Sequence, residues 1–192
     1  MAILLTSNFQ WVLLSTVLLG IASGMFGSFA YWKRQSLMSD AISHAALPGV
    51  VIAFLIIQEK NLLILLIGAT ISGLIGAFMI QGIRSSTRIT EDTAMGMILA
   101  VFFGGGIMLL TMVNQSGGGN QAGLDQFIFG QAAAMVKSDV ITMSILALLV
   151  IFVVVIGFKE WKLFLFDPNF AQGVGLSLKK MNAIYLCVLV VT

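Results

Sequence analysis

The sequence predicts an all-α fold, a polytopic integral membrane bundle of helices. Three observations carry that expectation. Of 192 residues, 59% are hydrophobic and 9% charged, and mean hydropathy is +1.05, whereas a soluble domain carries about 25% charged residues. The apolar runs are continuous rather than alternating, unlike the strands of a transmembrane barrel. Several of them reach the roughly 20 residues that a helix needs to cross the hydrocarbon.

In chain order, spans are expected near 9–31, 40–57, 61–83, 93–113 and 138–158. The first lacks a basic leader and a small-residue cleavage site, so it reads as a retained span rather than a signal peptide. A partial span starts near 181 and runs out at Thr192 without a polar stop. Residues 1–192 therefore read as a single transmembrane domain whose C-terminal spans are expected to be missing. Lys33, Arg34, Arg84, Arg88, Lys159, Lys162, Lys179 and Lys180 fall on one side of these spans, and Lys60 and Lys137 on the other. The richer side belongs in the cytoplasm, with the N-terminus extracytoplasmic. The net charge of +2 comes from scattered basic residues, which gives nucleic acid no surface to bind. Cys187 is the sole cysteine and excludes an internal disulfide.

Small residues recur every fourth position: Gly20, Gly24 and Ser28; Ala41, Ala45 and Gly49; Gly68, Ser72 and Gly76; Gly96, Ala100 and Gly104. Such stripes let helix backbones approach where lipid gives no hydrophobic drive to association. Gly117-Gly118-Gly119 lies in a 114–137 external loop. It lacks the Gly-Lys-Ser/Thr that follows a phosphate-binding loop. Leu124 to Met135 is expected as a short interfacial or re-entrant helix. The methionines are scattered through the spans as apolar filler.

The cytosolic segment 159–180 is unusually aromatic. Asp167 followed by Pro168 is a helix start, and Gly173 or Gly175 can stop that helix. A short helix with Phe170 and Ala171, flanked by Phe164, Phe166 and Leu176, is expected to meet another surface. A loop folded back under the bundle is the other reading.

Polar chemistry within the spans concentrates in 36–49. That stretch holds Asp40, the chain's only histidine, His44, and one of its two prolines, Pro48. A carboxylate and an imidazole four apart share one helix face. Pro48 cannot donate to the carbonyl of residue 44. Together these groups suit a divalent transition metal. A structural polar pair, with Asp40 capping the helix or holding His44, is the other reading. Two donors do not complete a metal site of about four to six, and the simplest source of the rest is a second copy across a two-fold axis. Catalysis is not expected. Ser43 and His44 point about 100° apart on a helix, and neither Gly-x-Ser-x-Gly nor His-Glu-x-x-His occurs.

The run Leu37-Met38-Ser39-Asp40-Ala41-Ile42-Ser43-His44-Ala45-Ala46-Leu47-Pro48-Gly49, preceded by Gly27-Ser28-Phe29 and Lys33-Arg34, resembles the permease subunits of ABC importers for manganese, zinc and iron. Thr87 to Gly96, Phe129-Gly130, and Phe166-Asp167-Pro168-Asn169-Phe170-Ala171 with Gly175-Leu176 extend the likeness in the same order. The resemblance implies a dimeric helical transmembrane domain that carries a divalent metal, manganese first and zinc second. Asp40 and His44 would line the metal's path. Phe166, Asp167, Pro168, Phe170, Ala171 and Gly175 would form the helix coupling it to a cytosolic ATPase. It further implies that ATP is bound by that partner, that an extracytoplasmic protein delivers the metal, and that this subunit is not an enzyme and holds no cofactor of its own. Family members usually have more spans than this chain offers. A proton-coupled secondary transporter using Asp40 and His44 as a relay is the alternative reading.

Overall fold

The computed structural model describes the backbone of residues 7–58, 61–115 and 137–192. Its elements are the helices α1 (Ser7–Trp32), α2 (Ser36–Ala45), α3 (Leu47–Ile57), α4 (Leu62–Ser86), α5 (Glu91–Gln115), α6 (Lys137–Ile156), α7 (Phe158–Phe166), α8 (Pro168–Gly173) and α9 (Leu178–Val191). Among the described residues, five stretches are long and apolar enough to cross a membrane: Gln10–Trp32, Leu37–Ile57, Leu62–Ser86, Glu91–Gln115 and Lys137–Ile156. Their outer faces invert the soluble pattern. Ile67, Ile71 and Ile75 on α4, and Ile141, Ile145, Leu148 and Phe152 on α6, are all exposed. Rows of large apolar side chains at helical spacing belong against lipid tails. The Gly117–Gly119 loop, the 124–135 helix and the Phe129-Gly130 match lie outside the described residues.

The chain divides into two compact units. One is Leu37–Gln131; the other joins Met1–Ser36 to Ala132–Thr192. In the first, α3 packs between α4 and α5 around Leu47, Val51, Phe54, Leu65, Leu110 and Val113. The small-residue stripes of the second and third spans meet. A Cβ added at Gly49 would run into the carbonyl oxygen of Gly68 and come within 2.5 Å of Ser72 Cβ, and one at Gly76 would lie 2.9 Å from Ala45 Cβ. The stripes on α1 and α5 do not find such partners: Gly20, Gly24, Gly96 and Gly104 have open space where a Cβ would stand.

The stretch expected as one helix over 40–57 differs in a specific way. The helix begins at Ser36 and is interrupted after Ala45, with α3 restarting at Leu47 and Pro48 in its first turn. Pro48 lacks the N–H that an unbroken helix would use. That missing donor would have served the carbonyl of His44. The carbonyl next to it, of Ala45, lies at the break and is held by the neighbouring helix, where Ser72 Oγ donates to it at 2.7 Å. The turn from α4 to α5 is closed by the ion pair of Arg84 and Glu91 at 2.8 Å.

In the second unit α1 packs on α6; Ala22, Phe26, Phe29 and Ala30 are buried on the first, and Val140, Ala147, Val150 and Val154 on the second. The fifth span, expected to reach 158, stops at Ile156. Gly157 marks the break, where a Cβ would lie 2.7 Å from Trp161 Nε1. Residues 158–166 are helical where the sequence suggested an aromatic connection, and α7 buries Trp161 and Phe164. Two chain reversals share one design. After α1, Arg34 takes φ +58°, Gln35 N–H donates to the Ala30 carbonyl, and Arg34 N–H to that of Tyr31. After α8, Gly175 takes φ +93°, Leu176 N–H donates to the Ala171 carbonyl, and Gly175 N–H to that of Gln172. Both are Schellman turns, and the left-handed position falls to glycine without strain only in the second.

Candidate functional site

Asp40 and His44 stand one turn apart on α2, with His44 in the last turn. Their side chains are 66% and 42% exposed, so both can be reached by a ligand. His44 Nε2 lies 3.7 Å from Asp40 Oδ1, too far for a good hydrogen bond. Two donors each about 2.1 Å from one shared cation stand roughly 3.0–3.6 Å apart for ordinary bond angles, so a small side-chain rotation would let both reach it. The carbonyl end of a helix carries partial negative charge and favours a cation as well. Ser43 Oγ donates back to the Asp40 carbonyl at 2.8 Å, so that hydroxyl is engaged by its own helix rather than by His44.

Two features of α5 hold the pair. Phe103 packs its ring against the imidazole with centroids 5.0 Å apart and planes at 77°. One turn further, Gly106 lets Leu47 and Pro48 come so close that an added Cβ would strike Leu47 Cδ2 and lie 3.1 Å from Pro48 Cδ. The helix break and the histidine ring are thus seated on the same neighbour. Among the described residues, no third histidine, cysteine, aspartate or glutamate joins the pair. The arrangement can present two metal donors to an ion, and other groups must complete the coordination. Sequence reasoning missed Phe103 and Ser72. Phe103 sits in an apolar run where nothing separates it from a lipid-facing ring, whereas Ser72 was visible as the polar member of a small-residue stripe.

The expected coupling residues separate by environment. Asp167 Oδ1 accepts from the Phe170 N–H at 2.9 Å and caps α8, with Pro168 in its first turn. Phe166 and Phe170 are more than half exposed. Ala171 is the exception within the expected surface: it is fully buried, because α8 needs one small face to lie against α7 and α9. Ala171 therefore seats the helix, and Phe166, Phe170 and Val174 form what it offers outward.

A broken second span bearing an aspartate–histidine pair, together with a capped, exposed aromatic helix after the fifth, belongs to a polytopic helical membrane protein. Residues 6–192 match the ABC 3 transport family, and the chain belongs to it. It is 46% identical over 183 residues to the manganese transport system membrane protein MntC of Bacillus subtilis (strain 168), covering 95% of this chain and 42% of that protein. It is 43% identical over 182 residues to the zinc transport system membrane protein TroC of Treponema pallidum (strain Nichols), covering 95% of this chain and 61% of that protein. Among solved structures, PsaBC from Streptococcus pneumoniae in complex with Fab superposes with a TM-score of 0.80 at 27% identity, over 97% of this chain and 64% of that one. The chain thus spans less than two thirds of the length of each of these relatives.

Proposed function

We propose that this chain forms part of the translocation path of an ATP-driven importer for divalent transition metals, with manganese the preferred cargo and zinc the next. The observation that carries the proposal is the Asp40–His44 pair: two accessible donors one turn apart, at the carbonyl end of a helix within an apolar span. Mixed carboxylate and imidazole donors suit manganese and zinc alike. The names of the relatives, one a manganese system and one a zinc system, favour the same pair of metals.

In this reading the two units are parts of one transmembrane domain, and a second copy of the chain supplies the matching aspartate and histidine. The chain is a non-catalytic subunit, and a cytosolic ATPase binds and hydrolyses the ATP. The ATPase docks on Phe166, Phe170 and their neighbours, and an extracytoplasmic protein hands over the metal. The basic residues at 33–34, 84–88, 159–162 and 179–180 face the cytoplasm, which leaves the N-terminus outside. Membership of an ABC transport family sets aside a proton-driven transporter built on the same pair.

The test is metal uptake by membranes carrying the assembled importer. Asp40→Ala and His44→Ala are expected to abolish manganese uptake while the complex assembles in normal amount, since both side chains are exposed and surface substitutions usually stay within about 0.5 kcal/mol. Normal uptake in either variant would remove the pair from the path.

A further inference from the structure

We infer that Lys33 is a positioning residue for energy coupling, a cationic pin that fastens the coupling segment to the ends of two long helices. Lys33 directly follows α1. A basic residue there would ordinarily reach for water or lipid headgroups at the membrane edge. This one turns inward instead. Its Nζ donates to Asn182 Oδ1 on α9, lies 3.8 Å from the ring centroid of Tyr185 on α9, and 5.1 Å from that of Phe164 on α7. One ammonium group thus joins α1, α7 and α9 at a single point, through contacts that combine charge with ring faces.

The pin sits in an aromatic cluster that reaches the coupling segment. Phe26 contacts Trp161 at 5.9 Å and Tyr185 at 5.3 Å between centroids; Phe29 contacts Phe158 at 6.1 Å and Trp161 at 6.5 Å; Trp32 contacts Phe166 at 5.1 Å. Three rings of α1 therefore hold three rings of α7. The short α8 packs on α7 and α9 through its buried Ala171. A displacement of α8 therefore reaches α1 and α9 together. Lys33 adds what rings alone lack. Aromatic surfaces can slide past each other, whereas a hydrogen bond to Asn182 and a cation held over two ring faces fix one register. The assignment rests on the reading of Phe166–Gly175 as the segment that receives force from the ATPase.

The experiment measures ATP hydrolysed per manganese ion carried, in proteoliposomes holding the assembled importer with its ATPase and binding protein. Lys33→Met keeps the length of the side chain and removes the charge. It is expected to raise the ratio about fivefold, with complex yield unchanged. Lys33→Arg keeps a cation over the rings and is expected to stay within about twofold of the parent. A ratio for Lys33→Met within that same range overturns the inference, as does Lys33→Arg uncoupling as strongly as Lys33→Met, which would make the role mere packing. If Lys33→Met does not assemble, Asn182→Leu takes its place: uncoupling supports the pin, and a parental ratio overturns it. Phe170→Ala is measured in parallel. Normal coupling in that variant defeats the reading of the coupling segment itself; uncoupling there with normal coupling in Lys33→Met defeats only the role of Lys33.

Discussion

The two units are held together by opposite means. In Leu37–Gln131 the closest approaches are made by what is absent: Gly49 meets the Gly68 backbone, Gly76 meets Ala45, and Gly106 meets Leu47 and Pro48. In the unit built from the two ends of the chain, α1, α7 and α9 are joined by Phe26, Phe29, Trp161 and Tyr185, large rings with almost no exposed surface. At these close approaches the first has no room for an added atom, and the second relies on the volume of its rings. The contrast fits what each carries. Backbone held close leaves room for a helix break and two accessible polar groups within an apolar span. Interlocked rings make a stiff body at the end that carries the exposed helix α8.

Substitutions can break this contrast, and the largest effect is expected where most volume is removed. Trp161→Ala takes a ring from the centre of the cluster and should lower stability by about 4 kcal/mol, read as a fall in unfolding midpoint of the purified protein in detergent. A loss below about 1 kcal/mol would mean that the rings are not interlocked. Gly49→Ala adds one methyl group against the Gly68 carbonyl, which cannot move away as a flexible side chain would, and should cost about 2 kcal/mol in the same assay. The functional counterpart is Phe103→Leu. It frees the imidazole of His44 without touching either donor, and should raise the KM for manganese about fivefold, the kinetic equivalent of about 1 kcal/mol, while Phe103→Tyr retains the parental value. An unchanged KM in Phe103→Leu would show that the ring does not orient the histidine. The smallest effect sharpens the contrast from the other side: Gly96→Ala, where a Cβ meets open space, should change the stability of the isolated chain by less than about 0.5 kcal/mol. A larger effect only in the assembled importer would identify that open stripe as a face used between chains.

How much of this could be read from the sequence depends on the range of the interaction. The cap at Asp167, the proline after it and the turn at Gly175 were legible, because each acts within a few residues. The family was legible for the same reason, since the stretch from Asp40 to Gly49 is one short run. The inward face of Ala171 was not, because six residues are too few for periodicity to show which side is buried. Helix α7 was missed although Phe158, Trp161 and Phe164 recur every third residue. Lys159, Glu160 and Lys162 between them gave the run the look of a cytosolic connection. Lys33 was counted as a charge and assigned to a side of the membrane. Its partner Asn182 is 149 residues away, and no local pattern connects the two. Pro48 announced a freed carbonyl at His44, but not that the helix would break after Ala45 or that a donor to the Ala45 carbonyl would come from Ser72 on another span.

That donor has a mechanical consequence. The break between α2 and α3 is not a free joint, because the Ala45 carbonyl beside it is already engaged by α4. If α2 swings about the break, either Ser72 travels with it or the bond is surrendered. The angle of the helix that carries Asp40 and His44 is therefore geared to the position of α4. Any motion that reorients Asp40 and His44 would advance in step with a third helix.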